Sequence, residues 1–172
     1  QALGDLFDIA WIQGEAEDRG IEATDTEIQD QLQQVKNQSF KSEEEYQKFL
    51  DRSGFTQEDV NLRIELQVLS TKIQEEVSAG AAKASDEDAE KLYEANKATF
   101  GEQSFDEAKE QIKQQLDGQF QQEFFADFLN DYRERWIQVT VCADDYLNER
   151  CDNFDPVVAE CTEEQAAQTG CP

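Results

Sequence analysis

Ser104–Trp136 reads SFDEAKEQIKQQLDGQFQQEFFADFLNDYRERW, and the reading of this stretch decides the fold. Seven apolar residues recur in it at strict four-residue spacing: Ile112, Leu116, Phe120, Phe124, Phe128, Tyr132 and Trp136. An α-helix turns once per ~3.6 residues, so each step of four overshoots by roughly 40°. The stripe therefore winds about two-thirds of the way round the helix, and its two ends are predicted to meet different surfaces. Phe125 and Leu129 widen the band, leaving more aromatic area than a thin helical domain needs. Packing as core is the plainer reading; lining a groove for an apolar guest is the sharper one. Gly118 inside the stripe costs about 1 kcal/mol relative to Ala, which points to a bend or to another backbone passing close by.

Working outward, helix starts are written in capping residues. Ser104-Phe105-Asp106-Glu107 opens the striped helix, since a Ser hydroxyl accepts from the amide three residues on while the Glu reaches back. Thr24-Asp25-Thr26-Glu27 does the same ahead of Ile28, Leu32 and Val35, and that helix is predicted to end near Asn37. Ser42-Glu43-Glu44-Glu45 precedes Tyr46, Phe49 and Leu50, with Gly54 as the left-handed stop. Thr56-Gln57-Glu58-Asp59 opens a longer helix carrying Val60, Ile64, Leu66, Val68, Leu69, Ile73 and Val77. Gly80-Ala81-Ala82-Lys83-Ala84 interrupts the pattern as the best internal hinge, near 79–84. Ser85 then caps a short helix with Ala89, Leu92, Tyr93 and Phe100, and Gly101-Glu102-Gln103 breaks the chain before Ser104.

At the front, Leu3, Leu6, Ala10, Gln13 and Ala16, with Phe7, Trp11 and Gly14 beside them, describe an amphipathic helix ending at Arg19-Gly20. After Trp136, Ile137-Gln138-Val139-Thr140-Val141 alternates apolar and polar residues and is predicted to be a strand. A lone strand has no partner in this sequence and needs one from residues outside it, another molecule or an extended bound peptide. The predicted fold is thus all-α: about six helices with a long C-terminal one, a short β-strand and a disulfide-braced tail. Residues 1–141 form the helical domain, and 142–172 a cysteine-containing acidic tail.

Composition narrows the function. Acidic residues outnumber basic ones 40 to 15, a formal charge of −25, which argues against nucleic acid because phosphate binding needs concentrated Lys and Arg. Anionic membrane surfaces are disfavoured for the same reason, and no apolar run approaches the ~18 residues of a membrane span. Histidine is absent, removing the commonest general base and metal ligand together. Cys142, Cys151, Cys161 and Cys171 are spaced by 9, 10 and 10, unlike the short pairs of zinc sites. Two disulfides and an oxidising compartment fit better. Three connectivities are open, and closing neighbours, Cys142 with Cys151 and Cys161 with Cys171, needs no other structure to bring them together. The chain opens at Gln1 and contains no Met, so it is read as trimmed, with any targeting segment out of view.

Chemistry-bearing patterns are sparse. Glu43, Glu44 and Glu45 belong to a helix first turn, where the dipole favours negative charge. Asp144, Asp145, Asp152 and Asp155 lack the order and glycine of a calcium loop. No phosphate-binding glycine loop or nucleophile elbow occurs, and no histidine is present to activate a cysteine. No catalytic residue, metal or cofactor is expected.

Read in order, the elements resemble the helical chaperone module of the SurA and PrsA family of exported bacterial foldases. Gly14-Glu15-Ala16…Arg19-Gly20-Ile21-Glu22-Ala23-Thr24-Asp25-Thr26-Glu27-Ile28 resembles its first helix and turn. Phe49-Leu50…Gly54-Phe55-Thr56-Gln57-Glu58-Asp59-Val60…Arg63-Ile64 resembles the family's next signature, a leucine, a glycine and a threonine leading into an acidic helix start. Ser85-Asp86-Glu87-Asp88…Leu92-Tyr93…Asn96-Lys97…Phe100 resembles the approach to the family's catalytic insert, and Ser104-Phe105-Asp106-Glu107-Ala108-Lys109…Ile112…Leu116 the helix returning from it. The similarity spans roughly residues 3 to 141. Full members carry a parvulin-type prolyl isomerase domain between those last two segments, where this chain has only Gly101, Glu102 and Gln103. The strand that usually precedes the family's first helix has no counterpart either, which leaves 137–141 without its partner.

The resemblance implies a chaperone without the isomerase: an ATP-independent holdase outside the cytoplasm, periplasmic, cell-envelope or secreted. Its partners would be unfolded or nascent exported polypeptides, with self-association left open. The candidate groove residues are Leu66, Leu69 and Ile73 on the middle helix with Phe124, Phe125, Phe128, Tyr132 and Trp136 on the last. The competing reading is a non-catalytic docking module for one specific protein, through its strand edge or acidic face. A hydrolase built on paired carboxylates is a third class and would need a compact acidic cleft.

Overall fold

The computed structural model describes residues 2–155. Among them run seven α-helices and one 3₁₀ turn: α1 (Ala2–Arg19), α2 (Asp25–Ser39), α3 (Glu43–Ser53), α4 (Gln57–Ala79), α5 (Asp86–Ala95), α6 (Lys97–Phe100), α7 (Phe105–Val139) and the turn Asp144–Tyr146. The fold is all-α, as the apolar periodicity predicts. The predicted pairing of Cys161 with Cys171 lies outside the described residues.

Caps set the element boundaries. Thr24, Thr56 and Ser85 each accept a hydrogen bond from the third helical amide, while the side chains of Glu27, Asp59 and Asp88 accept one from the cap's own N–H. The Ser104 N–H and hydroxyl both donate to Glu107 Oε2, at 2.8 and 2.7 Å. Ser42 caps α3 through the Glu45 amide, but Glu45 reaches one residue further back, to the Lys41 N–H at 2.8 Å. Gly54 ends α3 at φ +74°, a left-handed conformation that only glycine adopts without a steric penalty.

The predicted strand at 137–141 is not one. α7 continues through Ile137, Gln138 and Val139, three residues past its predicted end. An isolated strand leaves its backbone groups unpaired, whereas each further helical residue adds a hydrogen bond to an existing ladder. The Thr140 hydroxyl then closes the helix by donating to the Trp136 carbonyl at 2.6 Å, with the Thr140 amide on Ile137 O at 3.0 Å. Local competition wins over β-propensity here because no second strand offers itself among the described residues.

By contact density the chain divides into two compact units, with boundaries inside α1 and α7. In the unit Ile9–Ala126, α2 packs along α4, and Trp11, Leu32, Tyr46, Ile64, Leu69, Ile73 and Val77 are buried. A separate core joins α5 to the start of α7: Ala84, Ala89, Tyr93, Ala108, Ile112 and Leu116, skirted by Leu92, Phe100, Phe105 and Phe120. Removing an Ile or Leu side chain from water contributes ~1.5–3 kcal/mol, and the small Ala89 and Ala108, at 0% and 1% exposure, let the helices approach closely. Charge pins the same junction. Lys109 and Lys113, one turn apart on α7, both reach Asp86 in the first turn of α5. Their hydrogen bonds hold its carboxyl below the ordinary carboxylate range.

The segment between α4 and α5 is tied down by α7. Asp117 accepts the Ala84 N–H at 2.7 Å and stands 3.6 Å from Lys83 Nζ. Gly118, next to it, is helical and faces open space: a methyl there would meet nothing within 4 Å. The close backbone approach that this glycine suggests is absent.

The other unit, Gln1–Asp8 with Asp127–Pro172, is described to residue 155. Its Cys142–Cys151 disulfide closes a short loop, as the neighbour pairing predicts. Arg150 at the loop's end donates to Asp8 Oδ1 at 2.6 Å and to the Gly4 carbonyl at 3.3 Å, fastening the first turns of α1.

Candidate functional site: the aromatic face of α7

Burial along α7 is one-sided in sequence. Its buried residues are Ala108, Ile112 and Leu116; beyond them no residue of the helix is buried. Phe124 and Leu129 are each 44% exposed, and Phe125, Phe128, Tyr132 and Trp136 are half-buried. The rings succeed one another along the helix: Phe128 and Tyr132 centroids lie 5.8 Å apart, Tyr132 and Trp136 6.5 Å. Tilted contacts at these distances are favourable for aromatic quadrupoles. Phe124 lies over Gly80 at the end of α4, where an added Cβ would stand 3.4 Å from the ring.

The candidate groove residues thus occupy different environments. Phe124 and Phe125 belong to the unit Ile9–Ala126, as do the three α4 residues; Phe128, Tyr132 and Trp136 belong to the other. Leu66 is half-buried, whereas Leu69 and Ile73 are buried at 5% and 6% exposure. Leu69 helps form one side of a cleft of about 480 Å³ between the end of α1 and α4, with Ala16, Ile21, Ala23 and Glu65. A second cleft of about 330 Å³ runs between α2 and α4, beside Val68 and Lys72, and a third of about 690 Å³ lies at Phe40 and α3. None of these three is lined by an α7 aromatic. Of the band's rings, Phe124 is the exposed one, while Phe125, Phe128, Tyr132 and Trp136 are half-buried.

Two charged constellations organise the surroundings. Glu15, 1% exposed, accepts from Arg19 Nε at 2.6 Å, and Arg19 Nη1 reaches Glu76 Oε1 at 3.0 Å. Partial burial opposes the guanidinium's charge, but the hydrogen bonds to Glu15 and Glu76 outweigh it and raise its pKa. Sequence reading misses this network; the four-residue spacing of Glu15 and Arg19 is its available signal, and the third member is 57 residues away from Arg19. Lys72 on α4 pairs with Glu27 and donates to the Glu22 carbonyl at 2.7 Å. That ammonium, then the Thr24 amide and hydroxyl, push the Glu27 carboxyl down to about 2. Both networks join α4 to earlier segments, and both are structural ion pairs. Among the described residues, no group of three or more Asp, Glu, Cys or His is placed to hold a metal ion, and no helix is long and apolar enough to cross a membrane.

The first four helices, held by these pairs, occupy residues 2–79. Residues 1–74 match the family model of the SurA-like N-terminal domain. The matched stretch runs from α1 into α4, taking in Glu15, Arg19, Glu27, Lys72 and both Thr caps. The SurA-like N-terminal domain is the non-catalytic chaperone part of its family, and no parvulin isomerase domain is detected in this chain. α5 to α7 lie beyond the matched residues, so the similarity seen there rests on the motifs from Ser85 to Leu116. No curated protein and no solved structure matches the chain.

Proposed function

We propose that this chain is an ATP-independent extracytoplasmic holdase that captures unfolded or partly folded polypeptides on the apolar face of α7, without prolyl isomerase activity. The observation that carries the reading is the run of half-buried and exposed rings from Phe124 to Trp136, on a helix whose buried residues end at Leu116. The SurA-like N-terminal match supports a chaperone role, and the Cys142–Cys151 disulfide is consistent with an oxidising compartment. Burial of apolar surface is worth about 25 cal/mol per Å². Covering a few partly exposed rings, less the cost of ordering a flexible guest, leaves weak and reversible binding. Low sequence selectivity and release without a nucleotide are consequences of that weakness.

The test is suppression of light scattering as a chemically denatured model protein is diluted into buffer containing the chain. The parent chain is expected to suppress aggregation at near-stoichiometric ratios, and a Phe124→Asp, Phe128→Asp double variant to lose most of that effect. Circular dichroism checks that the variant keeps its helices. No suppression by the parent chain ends the proposal.

A further inference from the structure

Among the described residues, the segment after α7 is fastened along the side that faces 152–153. The Asp152 N–H donates to the Thr140 carbonyl at 2.8 Å. Asn153, next in the chain, holds both polar groups of the Cys142 backbone, its Oδ1 accepting from the amide at 3.0 Å and its Nδ2 donating to the carbonyl at 2.8 Å. In extended chain, residues i and i+2 point their amides and carbonyls to the same side, and residue i+1 to the other. The Thr140 carbonyl and both polar groups of Cys142 face 152–153, and a chain extended through Val141 turns its N–H and C=O to the other side. Among the described residues these two groups take no hydrogen-bond partner, and neither does the Ala143 N–H, Ala143 itself being extended at φ −70°, ψ 153°. The Ala143 carbonyl is used by the turn, accepting from Tyr146 at 2.8 Å. Donor, acceptor and donor therefore lie in line along one edge.

Side chains around this edge are apolar and open: Val141 is 75% exposed, Val139 66% and Tyr146 60%. The nearby Asp144, Asp145 and Asp152 are exposed as well. We propose that Val141–Ala143 is a strand-addition site that takes an extended polypeptide segment with β-branched residues at its centre and basic residues on its flanks. An extended main chain satisfies the alternating donor and acceptor row; Val141 and Tyr146 cover its apolar side chains; the carboxylates meet its cations. The inference rests on the holdase reading for the source of such segments, and it adds a second, main-chain-directed contact to the apolar one.

The probe is a short peptide of alternating Val and Thr with Lys at both ends, titrated against the full oxidised chain by fluorescence anisotropy, with amide exchange followed by NMR. Binding is expected to slow exchange at the Val141 and Ala143 amides by about ten-fold or more. The same peptide N-methylated at alternate residues, which keeps the side chains and loses the donors, is expected to bind about ten-fold more weakly. Val141→Pro, which removes the donor yet suits an extended backbone, is expected to weaken the unmodified peptide similarly. Unchanged exchange at Val141 and Ala143, or equal binding of the N-methylated peptide, overturns the strand-addition site, while continued suppression of aggregation would leave the holdase reading intact. Loss of all aggregation suppression with peptide binding retained would do the reverse. Val141 protected in the peptide-free chain, together with self-association in sedimentation, would mean that a second copy occupies the edge and would also overturn it.

Discussion

Glu27 does two jobs with one carboxylate: it closes the cap of α2 and receives Lys72 from α4. Its folded pKa of about 2 lies below the ordinary 4.5, so folding favours the charged form. Stability from this group is present above the unfolded pKa and is lost as pH falls through the folded one. The difference in urea midpoint between the parent chain and Glu27→Gln should therefore be largest above pH 4.5 and close as pH approaches 2. A difference that stays constant over that window would show that Glu27 is not ionically engaged. Glu15 is a contrasting case, a carboxylate 1% exposed that accepts from Arg19 Nε at 2.6 Å. Breaking a buried pair costs more than breaking a surface one because the remaining charge is stranded.

At the scale of elements, α7 is the clearest test of what a local pattern can and cannot say. Its start at Ser104 and its four-residue stripe are legible, because capping and apolar periodicity are properties of neighbours in sequence. Its end is not. Ile137–Val141 has the composition of a strand, and only the absence of a pairing strand among the described residues decides for helix. The exposure of the band is equally out of reach, since Leu116 and Phe124 are two members of one stripe yet 8% and 44% exposed. Which members are covered depends on where α5 lies, and that is a tertiary fact. The same holds for Leu69 and Ile73, whose spacing on α4 marks an apolar face without saying whether it is covered.

Residue type alone misreads Gly118, and the space around it supplies the correction. A methyl added there meets nothing within 4 Å, and the backbone is helical. Gly118→Ala should accordingly stabilise the chain by about 0.5–1 kcal/mol, through reduced freedom of the unfolded state. The measurement is the urea midpoint at unchanged m-value. A destabilised variant would mean that this position needs glycine for a reason other than space.

Across the whole molecule the dominant quantity is charge. A formal −25 spread over 172 residues opposes compaction by self-repulsion, and many of the fifteen cations are already committed to pairs such as Lys72–Glu27, Lys36–Glu43 and Lys109–Asp86. Salt screens the long-range repulsion more than these short contacts. The melting temperature is expected to rise by a few °C as NaCl goes from ~10 mM to ~150 mM, since ~1 kcal/mol moves a chain of this size by ~2–4 °C. A fall would show that the pairs outweigh the repulsion. The same excess of acid favours encounters with cationic, unfolded chains over acidic ones, which suits the basic flanks asked for at Val141–Ala143.

One joint in the architecture has a use of its own. Between α6 and α7 the chain turns through Gly101, at φ +58°, and the two banks of the turn are joined below its tip. Tyr93 donates to the Gln103 carbonyl at 2.7 Å, Ser104 and Glu107 cap α7, and the Ala89–Ile112 core joins the two sides beneath. Extra sequence spliced in at Glu102 would thus leave every one of those fastenings in place. The join behaves as a ready-made socket, a place where added sequence would meet the least resistance from the packing on either side.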